Sequence, residues 1–238
     1  MIMNLSICIS ELASDKSKNV RSLNICNRVT HVKRRRFLTT AAPFISAPAL
    51  WHTVIRPRRS VEVRYWLSPK AGQYAVQDRI NEYVKAALAR IVDADVSFGG
   101  IVPVHEEHGY HVTRSGEWPH QLYLGQWHAN DIDPASDVNL LVTDGSLHRG
   151  PTGLAQRRLA SIGGARHLER LPPRDEIDDT VDYRLSFFAM HLLIHEIGHV
   201  LGLRHEHGEI DTVEDGTVAS PMVSTYAWMD ETDQFSGD

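Results

Sequence analysis

His195-Glu196-Ile197-Gly198-His199-Val200-Leu201-Gly202-Leu203-Arg204-His205 closes a run in which Phe187, Met190, Ile194, Ile197 and Leu201 recur at three and four residues, with Phe188 and Leu192 on an adjoining face. The period predicts a helix over residues 181–201 that is apolar on more than one side and therefore wrapped in core. On that helix His195 and His199 stand one turn apart on one face, so both imidazoles can reach one ion. A tetrahedral Zn2+ that does catalysis takes three protein ligands and keeps a fourth position open, so a third donor must come from another direction. His205 supplies it if the helix stops and the chain turns, and Gly202, able to take positive φ at low cost, lies where a C-terminal cap is needed. Glu196, next to the first ligand, projects from the same turn without being a ligand, which suits a general base. Glu206, Glu209 and Glu214 stand as alternative third ligands, and Glu206 or His207 as a fourth donor that would close the site.

Working outward, Val61 to Leu67 alternates and is rich in β-formers, which predicts a strand. Residues 73–93 carry Val76, Ile80, Tyr83, Val84, Ala87, Leu88 and Ile91 at helical spacing, and Val96 to Val104 reads as a second strand with Gly99-Gly100 as a bulge. A strand-helix-strand unit of this kind implies a partly parallel sheet. Residues 106–132 show no sustained period and read mostly as loop. Asp137 to Thr143 reads as a buried strand, and Gly153 to His167 as an irregular edge strand, before Pro172-Pro173 breaks the chain.

The 238 residues are 42% hydrophobic and 23% charged, a composition that suits one ordinary globular domain, or at most two small ones, and argues against a disordered or fibrous chain. No stretch approaches the roughly 18–20 apolar residues of a spanning helix, so stable membrane insertion of the body is not expected. The net charge of −5 hides an asymmetry: residues 1–49 carry +6 and the remainder −11. An acidic body argues against nucleic acid as partner. Both cysteines, Cys8 and Cys26, fall in the basic segment, so the body offers no thiol ligand and no internal disulfide. Lys33-Arg34-Arg35-Arg36-Phe37-Leu38 precedes a weakly apolar run that ends in small residues near Ala49. That order resembles a twin-arginine export signal. It divides the chain into a leader over 1–49 and a body over 50–238, and implies an exported protein.

The long motif around His195 resembles the signature of metzincin metallopeptidases, H-E-x-x-H-x-x-G-x-x-H followed by a methionine-bearing turn. The second part is present as Ala219-Ser220-Pro221-Met222-Val223-Ser224-Thr225-Tyr226. By this resemblance Met222 is the turn methionine, an apolar floor beneath the imidazoles, and Tyr226 helps wall the substrate pocket as in matrixins. Glu206 is similar to astacins at its position and Leu203 to matrixins, so the resemblance is to the clan rather than to one family. It implies an α+β fold: a twisted mixed sheet with a backing helix, a long active-site helix and a short C-terminal part holding the Met-turn. It also implies a zinc-dependent endopeptidase acting on protein or peptide substrates, with the edge strand within 153–167 pairing to the substrate.

An exported zinc-containing binding or adhesion module without catalysis is the alternative. Two further clusters read first as a solvated polar loop or cleft rim (105–111) and as an acidic solvated turn (131–137), with metal binding as the alternative for each. His105-Glu106-Glu107-His108-Gly109-Tyr110-His111 could hold a second ion through His105, His108 and His111. Asp131, Asp133 and Asp137 could bind Ca2+ through carboxylate oxygens, although the closing Glu of an EF-hand is absent.

Overall fold

The computed structural model describes residues 2–4, 60–89, 91–147, 151–177, 180–182, 184–213 and 216–224. In chain order the elements are β1 (Ile2–Asn4), β2 (Ser60–Leu67), α1 (Gln77–Leu88), β3 (Asp93–Ile101), α2 (Gly109–Arg114), α3 (Glu117–Gln126), β4 (Val138–Val142), β5 (Gly153–Gln156), β6 (Leu159–Ile162), α4 (Ala165–Leu168), β7 (Thr180–Asp182), α5 (Leu185–Val200), β8 (Ile210–Val213) and β9 (Gly216–Ala219). Of the segment read as a leader, Ile2–Asn4 are described; Arg34, Arg35 and the boundary at Ala49 lie outside the described residues, as does Tyr226.

A five-stranded sheet in the order β3-β2-β4-β6-β5 forms the centre, and the fold is mixed α and β. The first four strands run parallel, and β5 closes one edge antiparallel to β6. The expected strand-helix-strand unit is β2-α1-β3, with β3 lying about three residues earlier than its apolar pattern suggested. Its bulge is at the expected glycines. Tyr65 pairs with Phe98 and Trp66 with Gly100, which leaves Gly99 as the extra residue. A Cβ on Gly99 would stand 2.4 Å from the Trp66 ring, so the indole occupies the space that a side chain there would need.

All five residues of β4 are buried, as befits a central parallel strand covered on both faces. One face is covered by α1, through Ile80, Tyr83, Val84, Ala87 and Leu88, and by α5. The other is covered by α2 and α3, where Trp66, Trp118, Val112, Leu122, Ile132 and Leu141 form one apolar cluster. The two indoles are 5.2 Å apart, and Trp118 Nε1–H donates to the Ala160 carbonyl at 3.1 Å, which satisfies its polar tip inside the core.

Two expectations are corrected. Residues 106–132 are not mostly loop, because they supply α2 and α3. Both helices are short, and α3 buries Trp118, Leu122 and Gly125 while Tyr123 is exposed, so its apolar face is too thin to stand out as a period. Gly109 opens α2 in close contact with β6: a Cβ there would lie 2.3 Å from the Ile162 carbonyl carbon. Residues 153–167 are not one irregular strand either. They form the hairpin β5-β6, turning at Arg157, whose φ is +56°, and then the short α4.

A second sheet, ordered β7-β1-β9-β8, brings β7, just ahead of α5, into the same sheet as β9, just ahead of Met222. No helix among the described residues is long and apolar enough to cross a membrane.

α5 begins four residues later than the apolar period suggested, and every residue from Phe187 to Gly198 is buried. It ends as the glycine predicted. Gly202 has φ +93°, Leu203 N–H donates to Gly198 O at 2.9 Å and Gly202 N–H to His199 O at 3.0 Å, the paired bonds of a Schellman cap. The space around Gly202 is open, so a substitution there is penalised by conformation alone. Gly202→Ala should therefore cost about 1 kcal/mol and lower the melting temperature by about 2–4 °C in thermal denaturation; an unchanged melting temperature would show that the left-handed turn is not held at this residue.

Candidate metal centre

The helix end sets the site. Beyond the cap the chain runs extended through Arg204 and closes a 3-10 turn over His205–His207, in which Arg204 N–H donates to His207 Nδ1 at 2.8 Å. This reversal carries His205 back over α5. The Nε2 atoms of His195 and His199 lie 3.0 Å apart, those of His199 and His205 3.1 Å, and those of His195 and His205 3.2 Å.

As neutral rings, His195 and His199 cannot satisfy each other at Nε2. A carbonyl oxygen only accepts, so His195 Nδ1 carries its proton toward Pro221 O at 2.7 Å, and His199 Nδ1 carries its proton toward Leu203 O at 2.9 Å. With Nδ1 protonated, neutral His195 and His199 present bare lone pairs to each other. Lone pairs at that distance repel unless a cation lies between them, and nitrogens at about 2.0–2.1 Å from one tetrahedral ion are separated by about 3.4 Å. The triad comes within a few tenths of an ångström of that separation. Both outer nitrogens are also held as metal-ligating imidazoles usually are, by a bond from the far ring nitrogen. Burial falls from His195 through His199 to His205, which is exposed, so one side of the group faces solvent.

Among the described residues this is the one cluster of three or more potential ligands. Of the candidates for a third donor, His205 is the one in the cluster. Glu206 and Glu209 are exposed and lie outside the cluster, while Glu214 is outside the described residues.

Glu196 is buried against the edge strand. A Cβ on Gly153 of β5 would stand 2.7 Å from Glu196 Oε1, so the missing side chain lets strand and carboxyl approach. Burial pushes this carboxyl up to about 8. Met222 is buried too, and a Cβ on Gly198, between His195 and His199, would meet Met222 Sδ at 2.4 Å. The thioether thus lies directly against the turn of α5 that carries His195 and His199. Gly208 allows the chain after His205 to pass close to the Met222 carbonyl, and Ser220 fastens the two segments: its N–H donates to Glu209 O and its Oγ accepts from Glu209 N–H, both at 2.9 Å.

His191 was not among the residues singled out in the sequence. It lies one turn before His195, fully buried, with its Nε2 3.4 Å from Val223 O. The signal was present as a third histidine at the same four-residue step on one helix face.

The other clusters have different partners. Glu107 Oε2 accepts from Ser68 Oγ at 2.6 Å and from Asp144 N–H at 3.1 Å, while Glu106 Oε1 accepts from His108 N–H at 2.7 Å. His105 is exposed beside Glu117, and the His108 and His111 rings pack against each other at 4.6 Å. Asp133 pairs with Arg64, and Asp137 Oδ2 accepts from Glu62 N–H at 3.1 Å. Neither group converges on a point where a second metal or Ca2+ would sit.

The metal-free protein should show a distinct pH profile. Burial lowers His191 to about 4 and His195 to about 3 from an ordinary 6.5. Below pH 6.5 the unfolded chain takes up those protons first, so this contribution to stability is full above 6.5 and is lost as pH falls through about 4 to 3. Glu196 acts in the opposite sense: its contribution is full below about 4.5 and is lost as pH rises through about 8. Stability of the chelator-treated protein should therefore peak between about pH 6 and 7, measured as melting temperature from pH 4 to 9. A steady rise from pH 5 to 8 would contradict the burial of Glu196. Compared with protein-family models and with curated protein sequences, the chain matches none, so what the site can do is read from its own atoms.

Proposed function

We propose that the chain is a zinc-dependent endopeptidase of the metzincin kind, with Zn2+ held by Nε2 of His195, His199 and His205. The observation that carries this reading is the convergence of three imidazole nitrogens at 3.0–3.2 Å beside a buried carboxyl that is not one of the ligand group. Three neutral imidazoles suit zinc among the metals that accept nitrogen donors, and three ligands leave the fourth position for catalysis. When bound, the ion supplies Lewis acidity, which lowers the pKa of a water toward neutrality and polarises a peptide carbonyl.

Glu196 takes the proton that the attacking water loses and delivers it to the leaving amine, so that one water is consumed for each peptide bond broken. Its burial raises its basicity above that of an ordinary carboxylate, so that in its ionised form it is a stronger proton acceptor. His195 and His199 keep their tautomers through Pro221 and Leu203, so their Nε2 atoms stay free to ligate. Met222 gives the site an apolar floor against Gly198. Among the described residues the edge strand β5 has no strand on its outer side, which suits an extended peptide, and the absent side chain of Gly153 brings β5 against Glu196. A protein or peptide substrate adding there as a further strand would lie next to the general base. Export by the twin-arginine-like leader belongs to the same proposal.

Purified protein should carry one zinc per chain, and His205→Ala should sharply reduce occupancy. Glu196→Gln should keep the metal and the fold yet lose hydrolysis of a peptide library by about 10²–10⁴-fold, read by mass spectrometry. A Gln variant as active as the wild type would overturn the general-base role. Zinc-loaded wild type that cleaves no peptide would instead favour the binding-module reading.

A further inference from the structure

We propose that His191 is a positioning residue of the metal centre: it registers the Pro221–Val223 turn against α5 and so sets the orientation of His195. The inference rests on the metal reading of the His195–His199–His205 group. His191 is 0% exposed, within a run of α5 whose other buried positions are almost all apolar. An imidazole in such a place is costly unless its polar atoms are bonded. Its Nε2 meets Val223 O at 3.4 Å, and because a carbonyl only accepts, Nε2–H is the donor.

One turn along the helix, His195 Nδ1–H donates to Pro221 O at 2.7 Å. The two rings lie with centroids 5.9 Å apart and planes 19° from parallel, and they bond carbonyls two residues apart in one turn. A single hydrogen bond from His195 would act as a pivot about which the turn could swing. The second bond, from a residue about 6 Å along an ideal helix, removes that rotation. Met222, between the two anchored carbonyls, is then held with its sulfur against Gly198. The constraint extends to the third ligand, since Ser220 is bonded to Glu209 at both backbone and side chain and Val223 N–H donates to Ser220 O at 3.1 Å. Movement of Val223 is thereby coupled to His195 directly and to the segment that carries His205 through Ser220.

The test separates hydrogen bonding from packing. His191→Phe keeps an aromatic ring of similar volume and loses the donor, His191→Leu does the same without the ring, and His191→Gln keeps an N–H donor. Each full-length variant is loaded with Co2+, whose visible absorption reports ligand geometry, and its Co2+ affinity is measured by competition with a chelator. The Phe and Leu variants should bind Co2+ about 10–100-fold more weakly with an altered spectrum, and Gln should recover most of the affinity. Peptide hydrolysis by the zinc-loaded Phe variant should lose kcat more than it raises KM. Should the Phe variant not fold, the contrast between Leu and Gln reads the same property. Wild-type affinity and spectrum in the apolar variants, or a Gln variant no better than Leu, would overturn the role of His191. Failure of wild-type protein to bind Co2+ would instead overturn the metal reading beneath it.

Discussion

Two neutral imidazoles that donate from Nδ1 to backbone carbonyls present bare Nε2 lone pairs, and the fold points those lone pairs at each other across 3.0 Å. In a partly buried site with a third imidazole at a similar distance, a cation would relieve this repulsion. Much of the surrounding construction serves that convergence. α5 supplies two of the rings because four residues make one turn, the Schellman cap reverses the chain because Gly202 tolerates φ +93°, and the 3-10 turn after Arg204 returns His205 to the same point.

Convergence at this precision needs a helix that cannot shift. α5 is held on one side by the sheet, through β4, β5 and β6, and on another by α4, and its buried run from Phe187 to Gly198 has no exposed face along which to slide. The same packing gives the site its electrostatic character. Burial that immobilises the helix also strips water from Glu196 and His195, pushing the carboxyl up to about 8 and the imidazole down to about 3 before any ion is bound. Rigidity and altered basicity therefore have one cause, the low-dielectric contact between helix and sheet.

The turn at Pro221–Val223 is the least conspicuous part of the site and the most connected. It accepts from His195, lies under Gly198 through Met222, meets His191 at Val223 and is tied to the chain after His205 through Ser220. The methionine side chain is what the sequence pattern draws attention to, yet the polar contacts belong to the backbone carbonyls on either side of it. A floor of this kind orients the imidazoles through the main chain and fills space with a soft side chain.

What the sequence determined by itself is what local spacing controls. The step of four between His195 and His199, the glycine three residues beyond and the histidine three residues beyond that are geometric statements about one helix and its end, and the structure reproduces them. The strands β2 and β4 and the bulge at Gly99 were legible for the same reason, since alternation or an apolar run bounded by turn residues is a local property. The helices α2 and α3 were not, because each is short and buries few side chains, and their helicity is stabilised by contact with Trp66, Leu141 and β6. The approach of Gly153 to Glu196, the use of Pro221 and Val223 as acceptors and the commitment of Glu107, Asp133 and Asp137 to other partners were likewise decided by tertiary structure. These contacts join residues far apart in the chain, and no period or spacing within a window of sequence encodes which carbonyl or carboxylate a distant strand will bring within 3 Å.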